Sequence, residues 1–289
     1  MNHIIYKGDN MSKFISITLT LIIFIISIYY TTKIINISKD KDPIMIEIKN
    51  YKSNYKTNKE EAIIDNEYII PGKKGTTINV DKSYSLMKKI GKFDTKLLVF
   101  EELKPTISIN NTYDNYIIKG NKKNPSVSII VLLEDTSYIE DLLKILNQKD
   151  IKVTFFISKE LFDNSTDILK LIKGFGHEIE LLSDNYSVYE VNKYSSILRL
   201  ISESKLSFCL FYNKNNDILN NCKTSKLHSV IPSIITDKYL YNSVKNNLEN
   251  GSIISITNNK NTIRELSSTV NYIHQKGKKI VLLKNLIEE

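Results

Sequence analysis

Tryptophan is absent from this 289-residue chain, its only arginines are Arg199 and Arg264, and it holds two cysteines, five prolines and nine glycines. The shortage of arginine argues against a reader of nucleic acid. The planar fork that grips phosphates and base edges is nearly missing, and no nucleic-acid motif replaces it. The four histidines, His3, His177, His228 and His274, show no spacing that places two imidazoles on one metal ion. Cys209 and Cys222 lie about a dozen residues apart. In an oxidising compartment they either pair across that loop, for about 3 kcal/mol, or remain two partly buried thiols. What the chain has in quantity is isoleucine, asparagine, lysine and tyrosine, a bias typical of AT-rich bacterial genomes. Its net charge of +8 is carried almost wholly by lysine. That charge suits anionic wall polymers or lipid head groups, and equally a solvated surface of mixed sign.

A short N-terminal tail, residues 1–13, precedes FISITLTLIIFIISIYYTT at 14–32. This uncharged run of about 19 residues is long enough for a bilayer core of about 30 Å. Tyr29 and Tyr30 suit an interfacial belt, and the run lacks a small-x-small cleavage site after it, so a retained anchor is favoured over a signal peptide. The tail is then cytoplasmic and the remainder extracytoplasmic. Residues 33–66 are polar, without regular apolar period, and read as a stalk. Residues 67–124 carry short strand-like runs (EYIIPG, TTINV, KLLVFEEL, TISIN) and a helical patch near 84–90. They are expected to pack on the domain that begins at Pro125, or to form a separate wall-binding module.

Beyond Pro125 the pattern becomes regular. Apolar strand candidates fall at 127–133, 153–157, 179–182, 208–212, 230–235, 253–256 and 280–283. Helical stretches fall at 139–146, 161–172, 239–248 and 263–275. Near-continuous apolar strands alternating with helices predict an α/β domain with a parallel sheet or barrel. Within it, 151–183 reads as one β-α-β unit whose strands are parallel and whose crossover is right-handed.

The wording of that unit, VTFFIS, a helix, then GHEIE, resembles the polysaccharide deacetylase (NodB-homology) family, as do GSII and the terminal KKIVLLKNL. The resemblance covers 125–289 and implies a distorted (β/α) barrel that removes acetyl groups from wall sugars. It also implies a divalent metal held by one Asp and two His, with a second Asp as base, a later His as acid and an arginine supporting the base. Laid on this chain, the T-F-D-D-G motif falls on 131–135, putting Leu133 at the base and Glu134 at the metal carboxylate. The metal histidines become Leu182 and Tyr186, the arginine becomes Cys209, and the acid becomes Thr257. His177 keeps the family's structural turn.

No complete catalytic set survives, so no metal site and no cofactor is expected. What remains is a rim at the C-terminal ends of the strands. Glu134, Asp135, Asp184, Tyr212 and Asp237 are its candidate substrate-binding residues, with Ser183, Asn213, Thr257 and Asn258 beside them. Their amides, hydroxyls and carboxylates suit sugar hydroxyls, and Tyr186 or Tyr212 a pyranose face. These residues leave three readings open. The first is a single-pass membrane protein, catalytically inactive, that binds wall carbohydrate or a surface protein. The second is an active metal-dependent deacetylase with an unusual site around Glu134. The third is a surface protein without glycan affinity.

Overall fold

The computed structural model describes residues 6–182, 187–202, 207–236 and 238–289. The chain opens with α1 (Tyr6–Asp40) and α2 (Pro43–Tyr55), then β1 (Ile63–Asp65), β2 (Tyr68–Ile70), β3 (Gly75–Ile78), α3 (Val80–Ile90), β4 (Phe100–Leu103) and β5 (Tyr116–Ile117). Next come β6 (Ser126–Leu133), α4 (Ile139–Gln148), β7 (Thr154–Ile157), α5 (Lys159–Asn164), α6 (Thr166–Gly174), β8 (Glu178–Leu181) and α7 (Val188–Ser202). It closes with β9 (Phe208–Leu210), α8 (Asn216–Thr224), β10 (His228–Val230), β11 (Ile234–Ile235), α9 (Leu240–Asn247), β12 (Ile253–Thr257), α10 (Lys260–Gln275), β13 (Lys279–Ile280) and α11 (Leu283–Ile287). Contacts divide it into two units: Met1–Asn58 with Gly75–Leu103, and Lys59–Lys74 with Lys104–Glu289.

In the first unit, the most apolar 18-residue window of α1 within Lys13–Asp40 has a mean hydropathy of 2.1, and none of that window is buried against protein. Its length and composition suffice to cross a bilayer. Thr20 and Thr32 return their hydroxyls to the carbonyls of Ser16 and Ile28 (2.6 and 2.8 Å), which hides a polar group inside an apolar helix. The polar stretch 33–66 is not the extended stalk its composition suggests. Asp42 caps α2 through Ile44 N (3.0 Å), Pro43 starts it, and Ile44, Met45 and Ile48 recur at helical spacing and are buried. Ile44 and Ile48 form a small core with Ile78 and Met87, fringed by Tyr51, Tyr84 and Phe93. Asn79 caps α3, and Gly91, at φ 73°, ends it. Strands β3 and β4 pair antiparallel. The segment 67–124 is therefore not one lead-in, since 75–103 belongs to this unit and the rest to the other.

The second unit holds two sheets. The six-stranded one runs β11-β12-β6-β7-β8, with β13 also on β6, and every pair in it is parallel. The five-stranded one runs β1-β2-β5-β10-β9, parallel except for β1 on β2. All eight residues of β6 are buried, Ser126 and Ser128 among them, as a near-continuous apolar strand covered on both faces requires. Pleating divides the side chains between two cores. Ile129, Val131, Leu133, Phe155, Ile157, Ile179 and Ile256 pack with α4, α6 and α10. Ile130, Leu132, Phe156, Leu182, Phe208, Leu210 and Ile253 form an inner core with Leu283, Leu286 and Ile287 of α11.

Among the described residues the strands do not close into the expected barrel. At one seam, Gly120 N donates to Gly251 O (2.8 Å), where Gly251 has φ 78° and a Cβ would meet Gly120 O at 2.4 Å. Lys119 and Ser252 form an isolated bridge beside it. At the other seam a side chain stands where strand pairing would be. Glu180 on β8 accepts from Ser207 N (2.8 Å) and Phe208 N (3.2 Å) at the start of β9.

Several element expectations are also corrected. The run 230–235 is two strands in different sheets, because Pro232 between them has no N–H to give a ladder. Residues 106–110 form no strand. Ser108 caps a turn of 3-10 helix there, and Glu289 accepts from Ile109 N (3.0 Å). The helix expected over 161–172 breaks at Ser165, and 280–283 is strand only to Ile280 before α11 begins. Helices α7 and α8 lie outside the expected helical stretches.

Candidate functional site

The C-terminal ends of β6 and β12, with the segment after β9, enclose a cleft of about 370 Å³ lined by Leu132, Glu134, Asp135, Tyr212, Thr257, Asn258 and Asn259. Parallel pairing of β12 on β6, in register from Ile253–Ser128 to Thr257–Leu132, brings the two strand ends level. The ladder continues one step, with Asn258 N donating to Leu132 O (3.2 Å). Glu134 is exposed at the rim. Asp135 is engaged in a local turn. It accepts from Ser137 N (2.8 Å), and the Ser137 amide and hydroxyl hold its carboxyl below the usual carboxylate range.

Asn258 is only 7% exposed and donates its Nδ2 to Asp135 O (3.1 Å), while its buried Oδ1 has no partner. An acceptor left so costs about 1–3 kcal/mol. The Tyr212 hydroxyl lies 3.2 Å from Ser255 Oγ. Asn259 caps α10 through Thr262 N (2.9 Å) and donates its Nδ2 to Thr257 Oγ1 (2.5 Å). No lysine, arginine or histidine lines the cleft among the described residues.

Of the residues singled out in the sequence, Glu134, Asp135, Tyr212, Thr257 and Asn258 thus meet in one cleft. Asn213 is exposed outside its lining. Ser183, Asp184, Tyr186 and Asp237 lie outside the described residues. Leu133 and Cys209 do not face the cleft. Both pack in the core between sheet and helices, and Cys209 is disulfide-bonded to Cys222 of α8.

The pleat also corrects the motif register. Leu132 lines the cleft and Leu133 turns away from it, so T-F-D-D-G is better laid on 132–136, with Glu134 at the base position and Asp135 at the metal carboxylate. Leu132 and Leu133 cannot be told apart by residue type, and only their faces decide. Asn259 was missed, although its place next to Asn258 at a strand end was a legible signal.

These residues do not fit the divalent metal that the motif implies. Leu182, at one imidazole position, is hydrocarbon held in the inner core. Among the described residues, no three His, Cys, Asp or Glu side chains come together as metal donors. His177 is structural. It is 1% exposed, its Nδ1 accepts from Val153 N (3.2 Å), and its ring stands edge-on to Phe155. Burial first, and nearby Lys152 second, lower its pKa to about 4.

This α/β fold, with two acids in a cleft at the strand ends, is similar to that of CE4 deacetylases. Residues 119–219 match the polysaccharide deacetylase family model, and this part of the chain is similar to NodB-type deacetylases. It is similar to the uncharacterized protein YlxY of Bacillus subtilis, 32% identical over 154 residues, which are 53% of this chain and 48% of that one. The chain thus spans about half the length of that curated relative.

Among solved structures it resembles wild-type BA3943, a CE4 family pseudoenzyme from Bacillus anthracis. The TM-score is 0.65 at 20% identity, covering 86% of this chain and 96% of that one. A mutant of BA3943 with restored enzymatic activity superposes equally well, with a TM-score of 0.65. The Bc1960 peptidoglycan N-acetylglucosamine deacetylase has a TM-score of 0.55 at 19% identity, covering 60% of this chain and 92% of that one. At these identities the likeness is one of fold.

Proposed function

We propose that this is a membrane-anchored, extracytoplasmic protein of deacetylase fold that does not hydrolyse acetyl groups and instead binds wall glycan in the cleft. The observation that carries the loss of catalysis is the donor set: a buried Leu182 where an imidazole would ligate, and Thr257 where an acid would stand. Without a Lewis acid and a proton donor, neither the acetyl carbonyl nor the leaving nitrogen is activated.

The pseudoenzyme of like fold is consistent with this, and the peptidoglycan deacetylase of like fold makes wall glycan the natural ligand class. The cleft adds hydrogen-bonding groups and the Tyr212 ring, which suit a sugar. Helix α1 supports the anchor, and the Cys209–Cys222 bond favours an oxidising compartment outside the cytoplasm.

The test is to incubate the purified protein with wall oligosaccharides, following binding by calorimetry and acetate by enzymatic assay. The proposal expects saturable binding without acetate. Chelator-sensitive acetate release would show an active metal site around Glu134 instead. A protein partner recovered by cross-linking, with no glycan binding, would make it a surface protein of another kind.

A further inference from the structure

Deepening the glycan reading on which it rests, we infer that the cleft selects a free amino sugar, a primary ammonium on a polyhydroxylated ring, over its N-acetylated counterpart. Every ionisable carboxyl or amine side chain in the described lining is an acid, Glu134 or Asp135, and none is a base. The one buried polar atom there without a partner is also an acceptor. Asn258 Oδ1 belongs to a residue 7% exposed whose Nδ2 gives one of its two N–H groups to Asp135 O. A ligand that completes this cleft must bring N–H or O–H donors and positive charge.

A bare divalent cation meets too few ligating side chains among the described residues. An ammonium asks for less, since its three N–H donors need only acceptors. An acetamide offers one N–H and turns a carbonyl oxygen towards carboxylates that can only accept. The Thr257 hydroxyl and the Tyr212 ring also line the cleft and suit a sugar's hydroxyls and apolar face. General attraction does not account for such binding, because the chain as a whole carries +8 and repels a cationic oligomer. The selectivity is local to the cleft.

The experiment is a calorimetric titration of the full-length protein in detergent, at pH 6 and moderate salt, with glucosamine tetramer and separately with N-acetylglucosamine tetramer. The glucosamine tetramer is expected to bind saturably and at least about tenfold more tightly. Glu134→Gln is expected to weaken it about tenfold with the melting temperature unchanged. Binding of that tetramer is also expected to fade as the pH is raised through the amine's titration. Equal or tighter binding of the N-acetylated tetramer, lost in Glu134→Gln, would overturn the amino-sugar inference and leave glycan binding standing. Glucosamine binding indifferent to Glu134→Gln would overturn it too, by placing the site elsewhere. Failure of both tetramers to bind would remove both proposals.

Discussion

His177 illustrates how one residue can be readable and still withhold its consequence. The GHEIE phrase marks a turn, and the structure adds that the imidazole is sealed between Val153 N and the Phe155 ring with a pKa of about 4. In the unfolded chain it titrates near 6.5. The unfolded state therefore takes up a proton first, and stability is complete above about pH 6.5 and falls as the pH drops towards 4. The loss from His177 is up to about 3 kcal/mol. His228, stacked on Tyr113 and lowered to about 4 by burial, titrates in the same window and the same direction. Thermal melts between pH 7.5 and 4 should show this decline, with a shallower slope in His177→Gln. An unchanged slope in that variant would refute the assignment. The candidate site shows the opposite limit of sequence reading. Glu134 and Tyr212 could be placed at strand ends from the pattern alone, whereas the orphan oxygen of Asn258 depends on which neighbour its amide happens to meet.

Elements were legible where burial is two-sided. Strands β6 and β7 announce themselves as largely apolar runs, and the parallel pairing of β7 with β8 follows from the helical crossover between them. The seams were not legible, because they are made by single atoms. Glu180 has the look of an exposed strand residue, yet it is 1% exposed and its carboxyl is pushed well above the usual range by burial, then by the charge of Glu178. Its two backbone contacts need an acceptor and no charge. Glu180→Gln should therefore keep or raise stability, whereas Glu180→Ala should cost about 2 kcal/mol or more in urea denaturation. If both variants lose the same amount, the acceptor role is wrong.

At the other seam, Gly251→Ala places a methyl 2.4 Å from Gly120 O on a backbone at φ 78°. A loss of at least about 2 kcal/mol is expected in the same assay. The disulfide ties β9 to α8 across 13 residues. Cys222→Ser should lower stability by about 3 kcal/mol, and reducing the native protein should match it.

At the scale of the whole molecule, composition misled most where polar residues hide a small core. Residues 33–66 read as a stalk because Lys, Asn, Asp and Glu outnumber the apolar residues, yet Ile44, Met45 and Ile48 are enough to seat α2. The distorted barrel implied by resemblance takes the form, among the described residues, of two sheets meeting at a glycine seam and a glutamate seam. A scaffold held by its core can keep its fold while the residues at its strand ends change.

The central claim is that the domain works without a catalytic metal, and the most direct measurement is a calorimetric titration of the purified full-length protein with zinc. The account predicts no saturable heat up to about millimolar zinc. One ion bound per chain, and lost in Asp135→Ala, would contradict it.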